Sequence, residues 1–186
     1  MTARFFDPAY LAGGNERQRA AFEVLKGLRI FETLKPYNPM LSGTIPLAID
    51  VPESDLDILC EVHDFERFTG ALEGAYDAVS DRTADYCTAS FSHGGFVIEV
   101  FGQARPVTRQ GAYRHMVIQA RLLDLGGETL RGEILALRAG GLKTEPAFAR
   151  RLAIAGDPFI ELLALESLDD DGLRRLLDDT AETHRG

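Results

Sequence analysis

The sequence lacks tryptophan and contains only 2 cysteines among its 186 residues. No apolar run approaches the roughly 18 residues of a bilayer-spanning helix, so we expect no membrane partner. The first residues, Met1 to Asp7, lack the apolar stretch of a secretory signal. Cys60 and Cys87 lie in apolar stretches typical of buried thiols in a reducing compartment, although a disulfide stays open. We therefore expect a cytoplasmic protein.

Basic residues are also scarce in this chain. It has 20 Lys and Arg against 29 Asp and Glu, which gives a formal net charge of −9. This balance disfavours a broad nucleic-acid-binding surface, because such surfaces need a basic face. A small anionic substrate stays open, since a divalent cation or a local basic cluster inverts the field at a site.

Histidine-based motifs are missing as well. His63 and His93 show no ligand spacing with each other or with either cysteine, so the sequence gives no zinc site. No Ser-His-Asp or Cys-His arrangement rises above chance. The chain also has no internal repeat and no low-complexity segment.

The strand patterns lie in the first half of the chain. Alternation predicts a strand over 55–62 and two more over 84–91 and 96–102. The turn at 92–95, which contains Gly94-Gly95, predicts that the last two strands form a hairpin.

Helical spacing surrounds these strands and then takes over. We expect a helix after an N-cap at Asn15, another at about 64–75, and only helices from Pro106 onward. Glycines at 126–127 and 140–141 end two of the later helices. The patterns together predict one α+β domain over 1–186, with a mixed, mostly antiparallel sheet in about 1–105 and a helical half in about 106–186.

The chemically informative stretch ends in Ser54-Asp55-Leu56-Asp57. Alternation in a strand places Asp55 and Asp57 side by side on one face. Such carboxylates repel each other unless they are solvated or neutralised, and a divalent cation neutralises them best. Upstream, Gly43 permits close backbone approach and Thr44 offers a hydroxyl, which suits phosphate oxygens. Taken alone, the pair Asp55 and Asp57 and the pair Gly43 and Thr44 are each also common as solvated or structural features.

Gly43, Thr44, Ser54, Asp55 and Asp57 together resemble the active-site signature of the nucleotidyltransferase superfamily, which includes DNA polymerase beta and the minimal nucleotidyltransferases. In that signature a Gly-Ser pair precedes a turn and helix, and Ser-Asp-x-Asp follows in the next strand; Thr44 replaces the serine. More of the chain, over about 14–165, looks like an uncharacterised prokaryotic family of this superfamily, a domain of unknown function. The other supporting segments are 14–18, 99–102, 112–116 and 141–148.

The resemblance implies a nucleotidyltransferase-like fold and a metal-dependent enzyme. Asp55 and Asp57 would hold Mg²⁺ or Mn²⁺, and Gly43, Thr44 and Ser54 would contact the nucleotide. The superfamily's third catalytic carboxylate lies in a later strand, beside the strand of Asp55 and Asp57, and Glu99 is the acidic residue of the strand 96–102. Glu99 is therefore the expected third catalytic and metal-binding carboxylate, with a solvated position at a sheet edge as the alternative.

One departure from the signature concerns the segment after Thr44. Active members of the superfamily open a helix there that carries a basic or small residue facing the phosphates. This chain has Pro46 and Pro52 in that segment and no basic residue. The expected cationic contacts to the nucleotide are then Arg114 and Lys143, for which the alternative is an exposed surface position.

Three classes of function stay open at this stage. The first is transfer of a nucleoside monophosphate from an NTP to an acceptor hydroxyl. The second is a non-catalytic nucleotide-sensing or protein-binding module with the same fold, and the third is a purely structural protein. The expected partners are an NTP and an acceptor that is a small molecule or a protein, since the acidic charge disfavours an RNA end. The oligomeric state is undetermined.

Overall fold

The computed structural model describes residues 2–183, with side chains described for residues 4–180. The chain forms two compact units: Met1–Ala48 with Glu53–Tyr113, and Ile49–Pro52 with Arg114–Gly186. Residue 1 and residues 184–186 of the expected single domain lie outside the described residues, and that expectation stays a prediction. No helix in the described part of the chain is both long and apolar enough to cross a membrane.

A five-stranded sheet forms the centre of the first unit, in the order β1-β2-β5-β4-β3. β2 and β5 are parallel, and every other pair of neighbours is antiparallel. The predicted α+β class with a mixed, mostly antiparallel sheet is therefore confirmed. The strands are β1 (Met40–Ser42), β2 (Leu56–Glu61), β3 (Val79–Arg82), β4 (Tyr86–His93) and β5 (Phe96–Gln103).

The sheet has one apolar face and one face of mixed character, because successive strand residues point to opposite faces. Buried residues such as Ile58, Val100 and Ala89 line the apolar face and belong to the main core cluster. The same cluster contains residues of α1 (Glu16–Leu28) and α3 (Phe65–Tyr76), including Leu25 and Phe68, so these helices supply much of its packing. The opposite face, called the polar face below, carries Asp57 and Glu99 and, on β1 and β2, also the buried Met40 and Leu59.

Local capping explains where the helices of the first unit begin. Asn15 and Gln18 form a reciprocal capping box at the start of α1, which satisfies two amide hydrogens that would otherwise lack partners. Asp64 accepts a hydrogen bond from the Arg67 amide at the start of α3. Both predicted helices are confirmed. The short helix α2 (Ile30–Thr33) follows α1 after Arg29, which has a left-handed conformation.

The second unit is helical, as the sequence predicts. The first helix is interrupted at Gly127, whose φ of 62° and ψ of −155° are not helical, so the predicted break is confirmed. Asp157 caps α6 through the Phe159 amide. Arg151 is almost fully buried and bonds Glu133 and the Thr180 hydroxyl. The helices are α4 (Gly111–Ala139), which begins in the first unit, α5 (Thr144–Arg151), α6 (Pro158–Ala164) and α7 (Asp170–Thr183).

Gly102 of β5 is closely packed in the sheet core. A Cβ at this position would meet Val62 Cγ2 at 2.7 Å and Cys87 Sγ at 2.8 Å. We expect Gly102→Ala to lower the free energy of unfolding by about 1–3 kcal/mol, because overpacking forces the neighbours to move. Urea denaturation measures this change.

Gly70 provides the matched control, since a Cβ there would meet no atom within 4 Å in the interior of α3. Gly70→Ala should leave stability equal or raise it by up to about 1 kcal/mol, because alanine favours the helix. Equal stability of Gly102→Ala and the parent would contradict the close packing at Gly102.

Candidate functional site

Two of the predicted carboxylates occupy paired positions on neighbouring parallel strands. Asp57 of β2 is opposite Glu99 of β5, and on its other side Asp57 is opposite Ser42 of β1. Paired positions in a sheet project to the same face, so Asp57 and Glu99 share the polar face. Asp55 lies one residue before β2. The expectation that the Glu99 strand neighbours the Asp57 strand is confirmed, and Glu99 is also solvent-exposed.

The three carboxylates interact through their charges. Burial, together with the charges of Glu99 and then Asp55, raises the pKa of Asp57 to about 7. The ionised form of Asp57 is thus disfavoured in the metal-free protein. A cation beside these groups would reverse the effect, because it stabilises the charged form.

The donor chemistry of this face fits a hard divalent cation. Across the described residues, no three His, Cys, Asp or Glu side chains form a ready-made metal cluster. Magnesium usually binds only one or two protein carboxylates and completes its octahedron with water and substrate phosphate oxygens. Asp57, with Asp55 or Glu99, therefore offers ligands of the right type and number for Mg²⁺ held together with a nucleotide.

The backbone of Gly43 lies beside the Asp57 carboxylate. It follows β1 directly and has a φ of +82°, a conformation that favours glycine. A Cβ built on Gly43 would overlap Oδ2 of Asp57. The backbone of Gly43 and the carboxylate of Asp57 are thus adjacent. Any side chain at position 43 would collide with this carboxylate.

The hydroxyls of Thr44 and Ser54 meet at the two ends of the segment between β1 and β2. Thr44 Oγ1 donates to Ser54 Oγ at 3.1 Å. The Gly43, Thr44 and Ser54 positions named by the sequence signature are therefore together in the first unit, next to Asp55 and Asp57.

The first turn of α1 holds both ends of the same segment. Gln18 is buried, and its Nε2 donates to the carbonyl of Ile45 at 2.8 Å. Arg17 Nη2 donates to the carbonyl of Ser54 at 3.0 Å, and its guanidinium carbon is 4.8 Å from the centre of the Phe96 ring. These bonds fix the backbone at the two ends of the segment.

Sequence reasoning missed the roles of Arg17 and Gln18. Both lie in the segment 14–18, which carried part of the family resemblance and was the available signal. Their partners are 37 and 27 positions away in the chain, respectively. No local pattern reveals contacts of such separation, so the sequence marked the segment without giving its function.

The segment after Thr44 departs from the superfamily pattern as the sequence suggested. Residues 45–48 form consecutive turns and no helix. The amides of Leu47 and Ala48 bond the carbonyls of Thr44 and Ile45, each at 3.1 Å, and Ala48 has a φ of +54°. Of the turn and helix of the superfamily signature, this chain has only the turn.

Arg114 and Lys143, the sequence-predicted cations, belong to the second unit. Arg114 bonds both carboxylate oxygens of Glu166, with its Nη2 at 2.5 Å from Oε2. Lys143 is exposed and precedes α5, where its side chain makes no capping bond. Their role in nucleotide binding stays a prediction.

Comparisons with known proteins give a family and a fold. The model of a family described as "Domain of unknown function (DUF4269)" matches residues 23–165. No curated protein matches the chain. A solved structure of a cytoplasmic RNA terminal U-transferase is similar, with a TM-score of 0.50 and 15% identity over 76% of this chain and 40% of that one. This likeness shows a nucleotidyltransferase-like fold.

A second similar structure is the polymerase core of TRAMP, an RNA surveillance complex. Its TM-score is 0.48 and its identity 16%, over 94% of this chain and 60% of that one. The chain thus spans less than two thirds of either neighbour.

The raised pKa of Asp57 gives a stability prediction for the metal-free protein. The pKa rises from 3.8 to about 7 on folding, so the folded state binds the extra proton between these values. Stability therefore falls as pH rises through this window, and the full cost is present above pH 7. Asp57→Asn removes the cost, and we expect it to raise the free energy of unfolding by roughly 1–3 kcal/mol at pH 8 and by much less at pH 4.

Denaturant unfolding with chelator at both pH values measures this effect. Glu23→Gln, an exposed carboxylate on α1, is the matched control and should change stability by less than about 0.5 kcal/mol. A gain for Asp57→Asn that is equal at pH 4 and pH 8 would contradict the electrostatic cause.

Proposed function

The chain belongs to the family described as a domain of unknown function (DUF4269), and we propose that it is a metal-dependent nucleotidyltransferase. The observation that carries the proposal is the position of Asp57, between the bare backbone of Gly43 and the paired Glu99. The ionised form of the buried Asp57 carboxylate is disfavoured unless a cation neutralises it. With Asp55 and Glu99 nearby and the glycine turn beside it, Asp57 suits a metal ion that also binds phosphate.

The proposed reaction moves a nucleoside monophosphate to an acceptor hydroxyl. The hydroxyl oxygen forms a bond to the α-phosphorus of the NTP, the bond from that phosphorus to the β-phosphate oxygen breaks, and pyrophosphate leaves. Glu99 takes the hydroxyl proton as general base. Asp55, Asp57 and Glu99 would hold Mg²⁺ or Mn²⁺, which when bound neutralises charge on the phosphates.

Gly43 and Thr44 would cradle the β- and γ-phosphates, with Ser54 beside them. The absent side chain of Gly43 gives the Asp57 carboxylate its place beside this backbone, so a cation on Asp57 would bring phosphate oxygens close to it. The Thr44 hydroxyl, which donates to Ser54, would turn its hydrogen to a phosphate oxygen when the nucleotide binds. Since Gln18 and Arg17 bond the two ends of the segment, its backbone is positioned before the nucleotide binds. A backbone that needs no rearrangement stabilises developing charge most effectively.

A second function is favoured by one observation. The segment after Thr44 has no basic residue and forms turns in place of a helix, which weakens the cradle for a leaving pyrophosphate. A nucleotide-sensing or protein-binding module needs no such cradle. This alternative keeps the fold and the carboxylates without turnover.

Nucleotide binding separates the two functions. A transferase must hold the pyrophosphate, so we expect the parent protein with Mg²⁺ to bind NTP more tightly than NMP. We expect Arg114→Ala and Lys143→Ala each to weaken NTP binding more than NMP binding, because the β- and γ-phosphates lose a cation. Calorimetric dissociation constants for NTP and NMP measure both effects.

Arg174→Ala is the matched control, since Arg174 is an exposed arginine of α7 paired with Asp171. It should leave both affinities unchanged. Equal binding of NTP and NMP by the parent would favour the sensing module, and unchanged NTP binding in both variants would remove Arg114 and Lys143 from the site.

Glu99→Gln tests the assignment of the general base. Loss of this base should lower turnover by about 10²- to 10⁴-fold, whereas the dissociation constant for NTP should change far less. The assay is pyrophosphate release with NTP, Mg²⁺ and cell extract as the acceptor source. Glu23→Gln, an exposed carboxylate on α1, is the control and should retain activity. Full activity of Glu99→Gln would assign the role to another carboxylate.

A further inference from the structure

The order of the strands sets the side from which an acceptor approaches. Gly43 and Thr44 follow β1 on one side of β2, whereas Glu99 lies on β5 on the other side. The attacking and leaving oxygens of a phosphoryl transfer lie roughly in line across the phosphorus. If pyrophosphate leaves over the end of β1, the acceptor hydroxyl arrives over β5 and β4.

The polar face of β5 and β4 presents aromatic rings and hydroxyls. Tyr86 is paired with Gln103 and stacks on Phe101, with ring centres 5.3 Å apart and an angle of 28° between the rings. Tyr86 and Val97 are 37% and 43% exposed. Thr88 and Ser90 of β4 are opposite Phe101 and Glu99, respectively, and lie on the same face.

The charges on this face all have one sign. Its positions in the five described strands include Asp57, Glu61, Asp81 and Glu99 and no Lys, Arg or His. Asp81 is exposed on β3, opposite Thr88. Carboxylates repel a phosphodiester chain, and aromatic faces next to carboxylates attract organic cations. The face is complementary to positive charge.

We propose that the acceptor is a small organic cation that carries a hydroxyl, bound on the polar face of β5 and β4. Its charge lies near the Tyr86–Phe101 pair and Asp81, and its hydroxyl reaches Glu99. Strands are about 4.8 Å apart and residues rise about 3.4 Å, so Asp81, two strands across and two residues along from Glu99, is about 12 Å away, the length of a small molecule. This proposal rests on the proposed function and assigns its acceptor.

Choline and 3,3-dimethylbutan-1-ol are the matched probes, since they have the same shape and one hydroxyl each and differ in charge. Binding is measured by amide chemical-shift changes in the full chain, with Mg²⁺ and a non-hydrolysable NTP analogue present, at low and high salt. We expect choline to shift residues of β4 and β5, to bind at least about fivefold more tightly than the neutral alcohol, and to weaken with salt. Equal binding of the two probes, or shifts elsewhere only, would overturn the proposal.

Variants of Tyr86 distinguish the contribution of the aromatic ring to cation binding from that of side-chain size. Tyr86→Leu should weaken choline binding by about 2- to 5-fold, because a cation over an exposed ring contributes that much. Tyr86→Phe, which keeps the ring, should retain the affinity, and so should Glu23→Gln on α1, which packs on the opposite face. NTP affinity should be the same in all three. Identical choline affinity in Tyr86→Leu and Tyr86→Phe would remove the aromatic pair from the site.

Transfer is then tested with small molecules of a cell extract, separated by ion exchange before addition of NTP labelled at the α-phosphate. Label should appear on molecules of the fraction that the cation exchanger retained before the reaction. Transfer only to anionic molecules, protein or RNA would overturn the cationic acceptor and leave the transferase intact. Choline binding on β4 and β5 without transfer to any fraction would remove the transferase and keep a cation-binding face.

Discussion

The contact between Asp57 and Gly43 constrains the candidate site more than any other. The Asp57 carboxylate fills the space that a side chain at position 43 would need, and the left-handed conformation of Gly43 brings the backbone there. Because β1 pairs with β2 at Ser42 and Asp57, the turn that begins at Gly43 starts directly beside the carboxylate. The strand pairing, the glycine and the aspartate thus depend on one another.

The main core cluster of the first unit packs on one face of the sheet, and the candidate site lies on the other face. Ile58 and Val100 pack into the core cluster with residues of α1 and α3, and their neighbours Asp57 and Glu99 project to the opposite face. Alternation alone produces this division, since consecutive strand residues point to opposite faces. The residues that stabilise the sheet and those proposed to act on a substrate therefore alternate along the same strands.

Gln18 connects the start of a helix to the site through one side-chain amide. Its Oε1 accepts from the Asn15 amide in the capping box, and its Nε2 donates to the Ile45 carbonyl. The beginning of α1 and the position of the turn after Thr44 are therefore coupled. Arg17, one residue earlier, performs the corresponding role at Ser54, so two consecutive residues hold a segment whose own turns are short.

The sequence alone determined the features that depend on local pattern: the capped helices at Asn15 and Asp64, the hairpin of β4 and β5, the break at Gly127, and the faces of Asp57 and Glu99. It did not reveal β1 and β3, because strands of 3 and 4 residues are too short to show alternation. Only the tertiary structure decided that β5 pairs with β2 in the parallel direction and brought Arg17 and Gln18 to Ser54 and Ile45. These contacts join residues far apart in the chain, and packing of the whole unit decides them.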